Sequence, residues 1–466
     1  MKKKFLLTVV ALSLIIFAFS GCKGGGSASD SDGDSPSVGD SSQTTTDDSE
    51  TSESEAEPVT LKFFVNSAAA AGEPLDDIVA EYERRNPHVT IEVVEVPSAD
   101  FNMKVDTMLA SGEQLDIVYF SNMPAYAPRA MQGAFYPLDD FLAEEGVELL
   151  DIYSIDCKVD DGKIYALPGD VKMWVVWLNK DDLDKAGLPV PPLDWTWDDY
   201  REYAKKLTWG DGTDKHYGSM WVDWDHYNVF YAYNKFDGNP YINRDGTHNL
   251  NDPAFRESVE LRYNLEQVDQ TQIPLAEVQA MQLDYRTVFF SGRASMLPMA
   301  TNIIPHAQKL DEYPHDFVTT FATLPIPEGG REGYTYADNR FYSIGKSSVN
   351  PKEAYKFIRF LTTEGIPMKN TTFTAERVQT VPMDEMVDRM TSQHPELFDK
   401  DALKNVLNNP ALHLNAWDYV PSYSSEIVNL FWAEADKTVM GEISIDELFD
   451  NVIPQVETIL EQNKDS

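Results

Sequence analysis

Between Trp221 and Tyr231 the chain reads WVDWDHYNVFY, which threads two carboxylates, Asp223 and Asp225, through a run of large rings. Flat rings such as Trp221, Trp224, Tyr227 and Tyr231 can lie on the C–H faces of a polyhydroxylated ligand, while planar polar side chains bind its hydroxyl edges; a ligand cleft uses both kinds of contact. One ring every three or four residues is equally the apolar stripe of a helix packed on a core. The acids beside Trp221 and Trp224 suggest a loop, whereas Tyr231 fits either reading. Asp223 and Asp225 admit a second chemistry, because residues i and i+2 on a strand share a face and glycoside hydrolysis needs two carboxyls, about 5 to 5.5 Å apart for retention and further apart for inversion. A general acid also needs a raised pKa, and nothing around this pair in the sequence suggests one.

The elements that would hold these residues belong to a chain of 466 residues, longer than a single core usually grows, so two lobes are expected. The first 21 residues read as an export signal: Lys2 to Lys4, the apolar run Phe5 to Phe19, then small residues before Cys22. Small residues followed at once by cysteine resemble the bacterial lipobox, in which that cysteine is lipidated and becomes the first mature residue. Phe19 departs from the usual leucine of that box. Residues 22–58 then form a Gly-, Ser-, Thr-, Asp- and Glu-rich stretch with almost nothing to bury, expected to be a disordered tether spanning about 33 Å root-mean-square. The formal net charge is -39; without the signal's three lysines and the tether's ten acids and one lysine, Val59 to Ser466 carries -33. So acidic a body repels nucleic acid and anionic lipid, which leaves a lipid on Cys22 as the expected means of membrane association. Cys157, the only other cysteine, reads as a small buried hydrophobe.

Val59 to Asn66 alternates as a strand, Leu75, Ile78, Val79 and Tyr82 share one face of a helix opened by Glu73-Pro74, and Val89 to Val96 is the next strand. A helix over Phe101 to Ser111, stopped by Gly112, leads to a third strand ending at Phe120. The order β-α-β-α-β predicts a mostly parallel sheet with helices on its faces, and ligands in such sheets sit beyond the carboxyl ends of the strands. By that rule Asn66, Ser67 and Asn122 face a crevice. The stretch DGKIYALPGDVKMWVVWLNKDD, Asp161 to Asp182, predicts a turn, a short strand halted at Pro168 and then an apolar strand. Residues i and i+3 on a strand point to opposite faces, so of Trp174 and Trp177 only one can approach a crevice, and Trp174 is the expected one. Phosphate-binding GxxxxGK, HExxH, GxSxG and paired CxxC motifs are missing.

Seven blocks in order resemble the extracellular solute-binding proteins of ABC importers, family 1: GEQLDIVYFSN, QGAFYPLDDFL, DGKIYALPGDVKMWVVWLNKDDLDKAGL, TWDDYREYAKKLT, FFSGRASMLPM, IGKSSVNPKEAYKFIRFLTTEG and ISIDELFDNVIPQVETIL. The resemblance implies an α/β, two-lobed periplasmic-binding-protein fold, each lobe a mostly parallel sheet flanked by helices and joined by crossing hinge segments. Carried onto this sequence, lobe one is residues 59–170 plus 323–372 and lobe two is 171–322 plus 373–466. The crossings fall at about Gly169 to Lys172, Phe321 to Pro325 and Asn370 to Phe373. It implies a small polar solute such as an oligosaccharide as ligand, ABC permease subunits as partners, a monomer lipid-anchored on the extracytoplasmic face of the cell membrane, and neither a cofactor nor catalytic residues. A non-sugar solute, a sensor subunit or a secreted glycosidase remain alternatives. Besides Asn66, Ser67 and Asn122, it points to Phe120, Asp170, Lys172, Thr301, Asn302, Arg340 and Tyr423 as ligand-facing, beside Trp174, Trp221 and Trp224, which the residues themselves suggest. Many sugar-binding relatives carry tryptophan where this chain has Thr301-Asn302.

Overall fold

Ten strands form among the described residues, in order: β1 (Val59–Asn66), β2 (Val89–Val96), β3 (Ile117–Phe120), β4 (Ala166–Asn179), β5 (Tyr217–Ser219), β6 (Ala294–Ala300), β7 (Thr319–Ala322), β8 (Tyr334–Ile344), β9 (Phe373–Thr374) and β10 (His413–Asn415). The computed structural model describes residues 57–67, 75–97, 100–377, 379 and 381–464. The expected signal, Cys22 and nearly all of the tether lie outside the described residues.

The first helices form where the periodicity puts them. Helix α1 (Leu75–Arg85) buries Leu75, Ile78 and Tyr82, and its first turn carries acids while its last carries Arg84 and Arg85, each complementing the helix dipole. Helix α2 (Phe101–Ser111) ends at Gly112, whose φ of 69° is the left-handed conformation that glycine adopts without penalty. Helix α3 (Met123–Met131) is capped by Asn122, whose side chain accepts from the Ala125 amide. With β1 parallel to both β2 and β3, these helices complete the β-α-β-α-β unit.

The strand order is β2-β1-β3-β8-β4-β6-β5. Its two middle strands are long, and each changes partners along its length. At the start of β4, Ala166 to Pro168 and Val171 to Met173 pair with β8; from Trp174 onward the same strand pairs with β6, and from Val176 with β7. β8 pairs with β10 over Tyr334 to Tyr336 and with β3 over Phe341 to Ile344. The chain thus passes between two groups of strands at the centre of β4 and again at the centre of β8. β9 lies beside the first passage, with Phe373 and Thr374 opposite Val171 and Asp170.

Two expectations need correction. The sheet is mixed rather than mostly parallel, because β3–β8, β8–β4, β4–β6 and β4–β7 are all antiparallel pairs. The second passage is not at Phe321 to Pro325: Phe321 and Ala322 pair with Trp177 and Val176, and Ile326 bridges Thr196, so the chain stays with the second group of strands until β8.

Register in β4 slips between Pro168 and Val171, a bulge at the passage itself. Gly169 is required there by space: a Cβ would stand 2.4 Å from Tyr342 Cε2 and 2.9 Å from Ile366 Cδ1. The Tyr342 ring is packed against Phe63 and Tyr119 and cannot easily retreat. Gly169→Ala is therefore expected to lower stability by about 1–3 kcal/mol through overpacking, read as a shifted urea midpoint at unchanged slope.

Candidate functional site

The passage at β4 and β8 gathers polar side chains in a place where backbone pairing leaves little room for them. Asp170, at the bulge and 1% exposed, accepts a hydrogen bond from Thr372 Oγ1 at 3.1 Å, and its Oδ2 lies 3.2 Å from Arg340 Nη1. The Arg340 guanidinium also sits over the Tyr119 ring at 5.6 Å. The second carboxylate oxygen, Asp170 Oδ1, is buried with no hydrogen-bond partner among the described residues, and so is Asn339 Oδ1, on the residue opposite Val171. A buried acceptor left unpaired costs about 1–3 kcal/mol, so two beside one bulge make the place a candidate ligand site.

Next to this cluster stands a wall of rings. Trp174, at the partner switch in β4, is 1% exposed and meets Trp224, His226, Tyr227, Phe230 and Tyr336 at centroid distances of 5.3 to 6.4 Å. Its indole Nε1 is buried without a partner. Trp177 points the other way, into Phe289, Phe290 and Phe321, with its Nε1 donating to the Met299 carbonyl. Strand parity therefore separates the two tryptophans. Trp224 is half-buried and meets Tyr285 edge to face at 5.5 Å, extending the wall outward. The loop that carries it is fixed by Arg262, which is fully buried on a helix over Pro253–Tyr263: Nη2 donates to the Val222 carbonyl and Nη1 to Asn228 Oδ1, and Glu266 balances the charge.

Several residues expected at the ligand fall elsewhere. Trp221 is a core residue, fully buried between Trp197, Tyr200 and Phe230, with its Nε1 on the Tyr200 hydroxyl; it is core although it sits in the irregular stretch between β5 and Asp225 rather than on a helix. Tyr227 is core too, its hydroxyl donating to the Pro298 carbonyl. Phe120 is buried against Tyr126 and Phe135, inside the core beneath α3 rather than at a crevice. Thr301 is buried, its hydroxyl accepting from the Met173 amide, while the neighbouring Asn302 is partly exposed with Oδ1 unpaired. Lys172 is partly exposed in the passage, and Asn66 and Ser67 are partly exposed at the carboxyl end of β1. The Asn122 oxygen is committed to capping α3, and the residue lines a void of about 10 Å³ with Tyr336, Asn339 and Trp417, room for about one water. Tyr423 is apart from these residues, in a groove of about 970 Å³ lined by Met131, Asp160, Arg244, Tyr419 and Glu461 among others.

Sequence reasoning missed Tyr285 and a second carboxyl beside Asp223. Asp436, on a helix over Ser424–Val439, accepts from Asn228 Nδ2 and Gln279 Nε2. Burial, with the Asp223 carboxyl hydrogen-bonded beside it, pushes its pKa up to about 6 against the pull of Arg262. Its only sequence signal is the spacing of Trp432 and Asp436, four apart and so on one helix face. Because the folded pKa lies above the ordinary 3.8, the folded protein holds the extra proton between about pH 4 and pH 6, and stability from this site is lost as pH rises through that window. Asp436→Asn should remove that slope, narrowing the pH 4 to pH 7 difference in unfolding free energy by about 1–3 kcal/mol, measured by denaturant titration across pH. Asp225 instead faces His226, with His226 Nδ1 3.0 Å from its Oδ1.

A Ser-His-Asp contact elsewhere has no catalytic geometry. Ser295 Oγ and Asp182 Oδ2 both approach the same nitrogen, His216 Nε2, at 2.7 and 3.4 Å, so the carboxylate cannot orient the ring from its far side. Ser295 is also fully buried.

A family model described as bacterial extracellular solute-binding protein matches residues 66–366, more than half of the chain. The chain belongs to that family. A relative from Brucella abortus is 25% identical over 296 residues, covering 63% of this chain and 69% of its own. Among solved structures, a sugar transporter from Rhizobium etli in an open conformation superposes with a TM-score of 0.70 at 24% identity, over 85% of this chain and 99% of that one. An ABC substrate-binding protein from Listeria monocytogenes in complex with cycloalternan gives 0.68 at 19%, over 87% and 100%. At these identities the superpositions speak for the fold: this solute-binding protein is two-lobed and α/β.

Proposed function

We propose that this solute-binding protein captures a carbohydrate, an oligosaccharide in the first instance, between its lobes and passes it to an ABC permease, held at the extracytoplasmic face by a lipid on Cys22. One observation carries the ligand assignment: unpaired buried polar atoms of Asp170, Asn339 and Trp174 converge on the strand passage beside the partly open rings of Trp224 and Tyr285. Hydroxyl edges suit the first set and C–H faces the second. The sugar named for the Rhizobium etli protein and the cycloalternan bound to the Listeria protein support the same class. No helix among the described residues is long and apolar enough to cross a membrane, so the anchor rests on the lipobox-like junction at Cys22 and the acidic tether after it.

The ligand shifts the lobes by its differential affinity for the closed arrangement and undergoes no bond chemistry. The glycosidase alternative at Asp223 and Asp225 finds no support here, because Asp225 is paired with His226 and its pKa is lowered in spite of burial, whereas a general acid needs a raised one. With the cognate sugar at a hundredfold excess over its dissociation constant, the chain from residue 59 should gain about 2.7 kcal/mol in unfolding free energy. A broad panel of mono- and oligosaccharides that leaves both stability and tryptophan fluorescence unchanged would rule out the carbohydrate assignment.

A further inference from the structure

The hairpin at residues 243–247 belongs to neither the ring wall nor the strand passage, yet it reaches across the molecule. Arg244 at its tip lies 3.2 Å from Asp160 Oδ1. Asp160 sits in the turn before β4, closed by the Lys158–Ile164 bridge and tied to the first lobe through the Leu138 amide on the Ile164 carbonyl. Arg244 stands on the second lobe's side. Its Nη2 donates to the Asp418 carbonyl at 2.7 Å, its guanidinium covers the Tyr419 ring at 5.2 Å, and Asp418 Oδ2 is 3.5 Å away.

That second half is built before any contact with Asp160. The hairpin is braced by Asn243 on Thr247 and Asn249 and by Asp245 on Thr247. Asp418 is seated on backbone: the Asn239 amide donates to its Oδ1, and a Cβ on Gly238 would stand 1.8 Å from that oxygen. The guanidinium is thus held in place from its own side, and Asp160 completes its coordination from the other. Both charges are partly exposed, at 55% and 34%. The contact is accordingly weak and salt-sensitive, as suits a reversible catch.

We propose that Arg244 and Asp160 form an interlobe latch that biases the protein toward the arrangement with its lobes together, and so slows release of whatever the cleft holds. The proposal rests on the hinged, two-lobed reading above but needs no particular ligand. Spin labels at Met103 and Met281, both exposed and on opposite lobes, report lobe separation by pulsed electron resonance in the mature chain carrying Cys22→Ser. Without ligand at low salt, Arg244→Ala and Asp160→Ala should each raise the long-distance population two- to fivefold, the range open to an exposed pair. The double variant, Arg244→Ala with Asp160→Ala, should open no further than either single variant, because both changes remove the same contact, and about 1 M salt should erase the differences. Single variants with an unchanged distribution, or a double variant in which the two single shifts simply add, would overturn the latch. A cognate sugar that shortens the distance in all variants would at the same time uphold the hinge, so failure of the latch and failure of the cleft reading are told apart.

Discussion

Trp174→Ala is expected to lower unfolding free energy by about 3–5 kcal/mol and to abolish ligand binding. The size of the first effect follows from the ring's surroundings: five aromatic neighbours, almost no exposure, and no space through which the wall could collapse inward. The strand itself persists, because its backbone pairs with Ala300 and its carbonyl accepts from Thr335 Oγ1. Loss of binding in that variant would be ambiguous alone, so two further variants separate the causes. Trp177→Ala should cost a similar amount while leaving affinity largely intact, since Trp177 faces Phe289, Phe290 and Phe321. Trp174→Phe keeps most of the packing but deletes the unpaired Nε1; it should remain within about 1.5 kcal/mol of the parent and still bind more weakly. Denaturant titration and ligand titration on the same preparations check both halves.

Asp170→Ala should be comparably damaging, at about 3–5 kcal/mol, because it takes a buried carboxylate away from a guanidinium that is itself 13% exposed. Asp170→Asn is the milder control: it preserves shape and the hydrogen bond from Thr372 while removing the charge, and about half the cost is expected. If Asp170 acts only as a structural partner of Arg340, affinity will track stability across the two variants. If its Oδ1 also reads the ligand, Asp170→Asn will lose affinity out of proportion to its stability loss.

Much of the frame was legible from sequence because the first lobe's strands alternate cleanly and its helices keep a 3.6-residue period. The bounds of β1, β2 and α2 coincide with those read from Val59–Asn66, Val89–Val96 and Phe101–Ser111. Pro168-Gly169 was visible as a break in an apolar run, and only the family resemblance made a crossing of it. β8 was only half visible: Phe341 to Ile344 reads as a strand from sequence, whereas the strand in fact begins at Tyr334 and runs through Asp338-Asn339-Arg340. The second crossing, placed at Phe321–Pro325 by the family resemblance alone, had no signal of its own in these residues. The aromatic stretch misled in a different way. Trp221 and Trp224 have the same type and similar neighbours, and only tertiary packing decides that one meets Tyr200 while the other opens toward Tyr285. Asp436 was out of reach because its role depends on Asp223, more than two hundred residues away.

The most direct measurement is a binding isotherm for the panel sugar giving the largest stability gain, recorded with the parent and with Trp224→Ala and Trp221→Phe. Carbohydrate capture at the ring wall predicts one site per chain, affinity reduced about tenfold or more in Trp224→Ala with little change in melting temperature, and near-parental affinity in Trp221→Phe. Undiminished binding in Trp224→Ala, or no sugar in the panel binding the parent at all, would contradict the account.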